Sequence, residues 1–130
     1  MIILTLKTDK PEAEIGLYND LAQVAYVTWE AHRQLAETIH LKITELLSSN
    51  GSDLNKLGGI VVFQGPGSFT GLRIGITVAN ALAYALKLPI VGAAHDDWTD
   101  DGIYQLLNGE DDKLVIPEYG ALPNVSTPKK

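Results

Sequence analysis

The sequence predicts an α/β domain built on a mixed sheet of five strands. Two observations lead to this fold class. Three strand-like stretches joined by tight turns come first, and apolar residues then recur at helical spacing between two further apolar runs. The predicted order is β-β-β-α-β-α-β, which gives a mixed sheet with helices on its faces.

The first three strands are predicted from apolar patterning. Residues 2–6 form a short apolar run, typical of a strand buried on both faces. Residues 12–18 alternate between apolar and polar side chains, and residues 23–29 are rich in residues that favour strands. The turns at residues 9–12 and 19–20 are short, so the three strands form an antiparallel meander.

The later elements alternate between helix and strand. In residues 33–48, apolar residues recur at helical spacing, which predicts an amphipathic helix. The second helix is predicted to begin at Ser68 or Phe69. The other predicted elements are a strand at 59–63, the second helix to residue 86, a strand at 88–93, a short helix at 97–107 and a last strand at 113–120. We predict a lobe over residues 1–112, followed by a strand and tail over 113–130.

Composition limits the classes of function. The 130 residues predict one domain, and a net charge of −6 disfavours direct nucleic-acid binding, which needs a basic patch. The absence of cysteine excludes disulfides, thiolate nucleophiles and cysteine zinc sites. The first residues lack the pattern of a signal peptide, and no apolar run reaches the roughly 20 residues of a membrane span. The sequence therefore predicts a cytoplasmic protein without a membrane segment.

A glycine-rich turn, "GPGSFTG", joins the fourth strand to the second helix. A strand, a tight turn and a helix start together point free backbone N–H groups at an anion, so Gly65, Gly67, Ser68 and Thr70 are candidate anion-binding residues. The spacing matches neither a P-loop, nor the dinucleotide fingerprint, nor a nucleophile elbow. The alternative interpretation is a tight strand-to-helix turn in which Ser68 caps the helix.

Small residues form a stripe along the second predicted helix. Gly71, Gly75, Ala79 and Ala83 follow one another at intervals of four residues and so share one face. Each glycine inside a helix costs about 1 kcal/mol relative to alanine, so two glycines here suggest that something approaches the helix backbone closely. The approaching element is either the protein's own sheet or a helix of another subunit.

The remaining polar candidates carry weak signals. Glu37 and His40 stand three residues apart on the first predicted helix, but a single such pair is typical of a solvated face. The acidic clusters at 95–101 and 109–112 lack EF-hand spacing and are interpreted as solvated loops. Arg73 is equally suited to a partner's carboxylate and to a surface ion pair. We expect no bound metal and no cofactor.

The stretch "GPGSFTGLRIGITVANALAYALKLPIVGA" resembles the TsaB (YeaZ) family, part of the machinery that makes threonylcarbamoyladenosine at position 37 of tRNAs. Residues 65–75 match the family signature nearly residue for residue, and a weaker resemblance runs from residue 1 to about residue 93. The resemblance implies an actin-like (ASKHA) fold, whose ribonuclease-H-like half has the element order predicted above. It also implies a subunit that is not itself catalytic.

The resemblance further implies partners. Family members pair with the catalytic subunit TsaD, which an ATPase, TsaE, joins, so tRNA would be met only indirectly. Pairing in the family uses the first two helices, and a homodimer on the same helices is compatible with the pattern. Carried over, this pairing puts six residues in or near a partner interface: Leu35, Ile39, Gly71, Gly75, Ala79 and Ala83.

The sequence also departs from the family pattern. Lys7 stands where family members commonly have an aspartate, and Leu35-Ala36-Glu37 replaces the usual His-Ser-Glu. Only about 35 residues follow the segment that resembles the family, too few for a second lobe of comparable size. An alternative hypothesis from another class is a small anion- or nucleotide-binding hydrolase that uses the turn from Gly65 to Thr70.

Overall fold

The computed structural model describes residues 1–67 and 69–118, without the side chains of His32 and Phe69. The strands are β1 (Ile2–Lys7), β2 (Glu12–Asn19), β3 (Ala22–Glu30), β4 (Gly59–Gly65) and β5 (Ile90–Ala94). The α-helices are α1 (Leu35–Ser49), α2 (Phe69–Leu86) and α3 (Trp98–Leu107). Short 3-10 turns occupy His32–Gln34 and Leu54–Lys56.

The five strands form one mixed sheet in the order β3-β2-β1-β4-β5. β2 runs antiparallel to both β1 and β3, whereas β4 is parallel to β1 and β5 is parallel to β4. Thr5, near the middle of β1, is paired with Gly16 on one side and Val61 on the other. The predicted fold class and the predicted order of the first seven elements are confirmed.

Helices cover both faces of the sheet. α1 packs on β2 and β3, and α2 packs on β4 and β1. α3 lies on the opposite face against β4 and β5, where Gly102 is in close contact with Val61. The core therefore has two layers of side chains, one on each side of a sheet whose central strands β1 and β4 are almost wholly buried.

The inner face of α2 is the stripe of small residues. A Cβ added at Gly75 would lie 2.9 Å from Thr8 Cγ2 and still closer to Thr8 Oγ1. The Thr8 hydroxyl donates a 2.8 Å hydrogen bond to the carbonyl of Gly71, while Ala79 and Ala83 are buried. Of the two interpretations of the stripe, the structure shows the one in which it packs on the chain's own sheet.

A strap formed by residues 111–118 lies along the outer edge of the sheet, beside β5 and α2. The Asn80 side chain donates to the Val115 carbonyl and accepts from the Val115 N–H, at 3.0 and 2.9 Å. The N–H of Ile90 donates to Asp111, and this bond is the main cause of the lowered pKa of that carboxyl group. The strap therefore satisfies backbone groups of the edge strand through side chains.

The last strand predicted, at 113–120, is not formed over residues 113–118. The Glu118 N–H donates to the Gln64 carbonyl of β4, but Asn80 and Gln64 contact Val115 and Ile116 through their side chains, so no ladder of backbone hydrogen bonds develops. The rest of that prediction and the predicted tail, residues 119–130, lie outside the described residues.

The contact between Gly75 and Thr8 predicts whether Gly75→Ala raises or lowers the free energy of unfolding. If this face of α2 were open, Gly75→Ala would stabilise the protein by about 1 kcal/mol, because alanine favours a helix. Because Thr8 fills the space, we expect Gly75→Ala to lower the free energy of unfolding by about 1–3 kcal/mol in urea titrations.

Two further variants control this measurement. Ala81→Gly, at an exposed position of α2, measures the difference between glycine and alanine in this helix without the packing effect. Adding Thr8→Ala to Gly75→Ala should recover part of the loss, because it removes the obstructing side chain. An increase in stability for Gly75→Ala alone would contradict the described packing.

Candidate docking surface

The structure places the six predicted partner-binding residues on the inner sides of α1 and α2. Leu35 and Ile39 are buried under α1, and Gly75, Ala79 and Ala83 are buried under α2. Gly71 is half-buried. Most of these residues hold the helices on the sheet, so the surface that another protein can reach lies mainly beside them, although Leu35 and Gly71 also line a surface hollow.

That accessible surface includes a groove between α1 and α2 with a volume of about 510 Å³. α1 contributes Ala36 and His40, which lie one helical turn apart. The residues that line the groove are Ala36, His40, Thr70, Arg73, Ile74, Thr77 and Val78. Ile74 and Val78 are partly buried against the core, and their remaining surface is apolar and open to contact.

A second hollow, of about 400 Å³, adjoins the first because both are lined by Thr70 and Ile74. It extends toward the β1–β2 turn and the 3-10 turn before α1. Its lining residues are Lys10, Pro11, Ala31, Arg33, Leu35, Thr70, Gly71 and Ile74. We call the two hollows together the docking groove. It combines an apolar floor with basic side chains at its edges, as the central parts of protein interfaces often do.

Other parts of the chain lie against both described glycines of the candidate anion-binding turn. Gly65 has φ +134°, and a Cβ there would collide with the carbonyl oxygen of Glu118. A Cβ on Gly67 would collide with the side chain of Asp9. Thr70 is exposed at the start of α2, while Ser68 and its predicted capping role lie outside the described residues. A carbonyl and a carboxylate beside the two glycines disfavour an anion at this turn.

The Asp9 side chain beside Gly67 is paired with a lysine. Lys7 donates a 2.7 Å hydrogen bond from Nζ to Asp9 Oδ1, and both side chains are largely buried. The Lys7 Nζ also lies 4.5 Å from the centre of the Phe63 ring. This arrangement neutralises Asp9 without a metal ion.

The other candidates form no site in the described part of the chain. His40 lines the docking groove rather than joining Glu37 in a ligand set, and residues 1–67 and 69–118 contain no group of three Asp, Glu, Cys or His able to hold a metal ion. Asp100 and Asp101 lie in the first turn of α3, where acidic residues favour a helix start. No helix among the described residues has the length and apolarity needed to cross a membrane.

Polar aromatic residues occupy the face of the sheet that carries α3. The Tyr26 hydroxyl donates to Glu14, and burial, followed by this bond, raises the pKa of Tyr26. Burial and the charge of Asp100 raise the pKa of Tyr18. The hydrogen bond between Tyr26 and Glu14 joins neighbouring positions of β3 and β2, so this cluster stabilises the meander.

Comparison with known proteins assigns the chain to a family. A family model described as "TsaD: tRNA N6-adenosine threonylcarbamoyltransferase" matches residues 27–99, more than half of the chain. The chain belongs to this family. The matched segment contains α1, β4, α2 and β5, and so includes most of the docking groove.

Individual relatives carry the names TsaB, YeaZ and tRNA N6-adenosine threonylcarbamoyltransferase. The "tRNA threonylcarbamoyladenosine biosynthesis protein TsaB" of Escherichia coli (strain K12) is 30% identical over 88% of this chain and 52% of that protein. A tRNA N6-adenosine threonylcarbamoyltransferase of Geotalea uraniireducens (strain Rf4) is 46% identical over 50% of this chain and 19% of that protein. The structure of "YeaZ from Pseudomonas aeruginosa" superposes with a TM-score of 0.66 at 28% identity, over 72% of this chain and 43% of that one.

The predicted resemblance to the TsaB (YeaZ) family is thereby confirmed. The chain spans about half the length of the curated TsaB relative that it matches. The agreement in structure supports the ASKHA-type lobe predicted from the sequence.

The contacts of Gly65 with Glu118 and of Gly67 with Asp9 lead us to predict that this TsaB-family chain does not bind nucleotide. We expect calorimetric titration with ATP to give no saturable heat at ligand concentrations up to about 1 mM, a level that would reveal binding of about 4 kcal/mol. Asp9→Asn, which removes the carboxylate beside Gly67, is titrated with ATP in the same way for comparison. Saturable micromolar binding by the unmodified chain would contradict this prediction and favour the hydrolase hypothesis.

Proposed function

We propose that this TsaB-family chain is a non-catalytic subunit of the complex that makes threonylcarbamoyladenosine at position 37 of tRNAs. In this proposal it docks on a TsaD-like catalytic subunit through the docking groove and activates it. The observation that carries the proposal is the position of this groove, which is built by the two helices in the segment matched by the family model.

The packing of α2 supports a surface that is rigid before the partner arrives. The Thr8–Gly71 hydrogen bond and the close contact at Gly75 hold the helix against the residue that follows β1. A helix held in this way loses little conformational entropy on docking, so more of the contact energy appears as affinity. Such a surface activates a partner if it binds the partner's active conformation more tightly than the inactive one.

Three features support a role without catalysis. Lys7 and Asp9 neutralise each other, Glu118 and Asp9 lie against Gly65 and Gly67 of the glycine-rich turn, and the described residues include no group of three Asp, Glu, Cys or His able to hold a metal ion. With a net charge of −6, the chain is poorly suited to contact tRNA directly. In the proposed complex the TsaD-like subunit supplies the chemistry, a TsaE-like ATPase joins it, and the assembly works in the cytoplasm.

The groove offers a sharper test of docking than the stripe does. Gly75→Leu or Ala79→Arg would disturb buried positions, so a loss of pairing could not be separated from a loss of folding. Ile74→Glu and Val78→Glu instead place a charge at the accessible floor of the groove. We expect each to weaken binding to the TsaD-like protein of the same organism by roughly 30-fold or more, because a central apolar contact contributes about 2 kcal/mol or more.

Calorimetry and reconstituted tRNA modification measure the effect, and thermal unfolding checks that each variant is folded. Val24→Glu is the matched control, because Val24 is an exposed apolar residue of β3, away from the groove. The docking proposal is wrong if both groove variants bind and activate the TsaD-like protein as well as Val24→Glu does.

A further inference from the structure

The two edges of the sheet end in different ways. At the outer edge the strap lies beside β5, where Asp111 and Asp112 accept hydrogen bonds from the N–H groups of Ile90 and Gly92. At the other edge β3 pairs with β2 on one side, and no other described strand lies along its second side. Every second residue of such an edge directs its backbone N–H and C=O groups away from the sheet, where another strand can pair with them.

β3 lacks most of the features that prevent a further strand from pairing with an edge. Natural edge strands carry charged residues, proline or a bulge for this purpose. Residues 22–29 contain no charged residue and no proline, and residues 26–29 are all β-branched or aromatic, as strands prefer. The register with β2 shifts only beside Leu17 and Tyr18, so residues 25–30 form a regular strand.

We propose that β3 pairs with β3 of a second copy of this chain in antiparallel orientation, so that two sheets of five strands form one continuous sheet. The partner is a second copy because the strand is complementary to itself. A two-fold axis at Val27 places Trp29 of each copy opposite Ala25 of the other, and Tyr26 opposite Thr28. On each face of the sheet a large side chain thus lies opposite a small one, and no two like charges lie opposite each other.

A hollow beside this edge supports the same arrangement. It has a volume of about 250 Å³ and lies between β3 and α1. Ala25, Val27 and Leu46 supply its apolar lining, and all three pack against the core. Trp29 lies on the same face of β3, because its indole N–H donates to Thr38 of α1. Since Trp29 of the second copy would lie opposite Ala25, its ring would contact this hollow and bury apolar surface.

Two charged residues of α1 border the hollow and make the surface complementary to its own copy. Lys42 lies near one end of β3, with its Nζ 5.9 Å from the centre of the Trp29 ring. Glu45, one helical turn later, lines the hollow together with Ala25. Because the two-fold axis brings the Trp29 end of one copy to the Ala25 end of the other, Lys42 of each copy lies beside Glu45 of the other. Opposite charges therefore meet twice in the pair.

This pairing leaves the docking groove accessible. The hollow beside β3 and the docking groove share no lining residue, because α1 contributes Ala36 and His40 to the groove but Lys42, Glu45 and the residues after them to the hollow. A chain paired through β3 can therefore bind a TsaD-like subunit at the same time. The inference thus goes beyond the proposed function and does not depend on it.

The first experiment measures self-association by sedimentation equilibrium. Small interfaces bind weakly, so we expect a dimer with a Kd of roughly 0.1 mM, measured at chain concentrations from about 10 μM to about 1 mM. Thr28→Lys places a lysine at an exposed position of β3 and should weaken self-association at least about tenfold. Thr44→Lys makes the same substitution at an exposed position of α1 that does not line the hollow, and this control should associate like the unmodified chain.

The second experiment exchanges the two charges. Lys42→Glu and Glu45→Lys each place like charges together across the two-fold axis, so each should weaken self-association by about tenfold. The double variant Lys42→Glu/Glu45→Lys restores opposite charges and should associate like the unmodified chain. Thermal unfolding confirms that every variant is folded. A double variant that associates no better than either single variant would overturn the inference.

Hydrogen exchange identifies the surface at which the copies meet. We expect amides within residues 25–29 to exchange more slowly at the highest chain concentration than at the lowest, because pairing protects them. A chain that stays monomeric over the whole range would overturn the inference and leave the proposed function standing. A dimer that Ile74→Glu dissociates and Thr28→Lys does not would also overturn it, because the copies would then meet at the docking groove. Protection of residues 25–29 only on addition of the TsaD-like protein would overturn it as well, since the edge would then accept a strand of that partner.

Discussion

The arrangement of α2 depends on the contact between Thr8 and two glycines of that helix. Gly75 leaves the space that the Thr8 side chain occupies, and Gly71 supplies the carbonyl to which the Thr8 hydroxyl donates. Both glycines weaken the helix in isolation by about 1 kcal/mol each. Their effect in the folded chain is to let α2 lie close to β1 and β4, so that its small-residue face becomes part of the core. Ile74 and Val78 consequently lie at the groove between α1 and α2.

Much of the fold could be predicted from the sequence, because period-two and period-3.6 patterns report directly on which side of an element is buried. Residues 12–18 and 33–48 gave β2 and α1 to within a few residues. The 111–118 strap could not be predicted in this way. It is held by the Asn80, Gln64, Asp111 and Asp112 side chains, and such contacts have no period in the sequence.

The candidate site was only partly predictable. The stripe from Gly71 to Ala83 indicates that another element approaches α2 closely. A sheet and a second helix would both need small residues on α2, because either one would otherwise collide with larger side chains. The sequence therefore left two interpretations open, and packing against Thr8 decides between them. The docking groove was not predicted, because Ala36, Ile74 and Val78 become neighbours only when α1 and α2 pack side by side. Single residues of the groove did carry signals: Leu35 and Gly71 were predicted to bind a partner, and Arg73 suited either a partner's carboxylate or a surface ion pair.

The central claim is that α2 contacts the chain's own sheet with one face and a TsaD-like subunit with the other. Methyl NMR during titration with that subunit tests it most directly, because each methyl group reports on its own surroundings. The account predicts that the resonances of Ile74 and Val78 change, while those of Val24 on β3 and Leu114 in the strap do not. Changes at Val24 or Leu114, with Ile74 and Val78 unaffected, would contradict it.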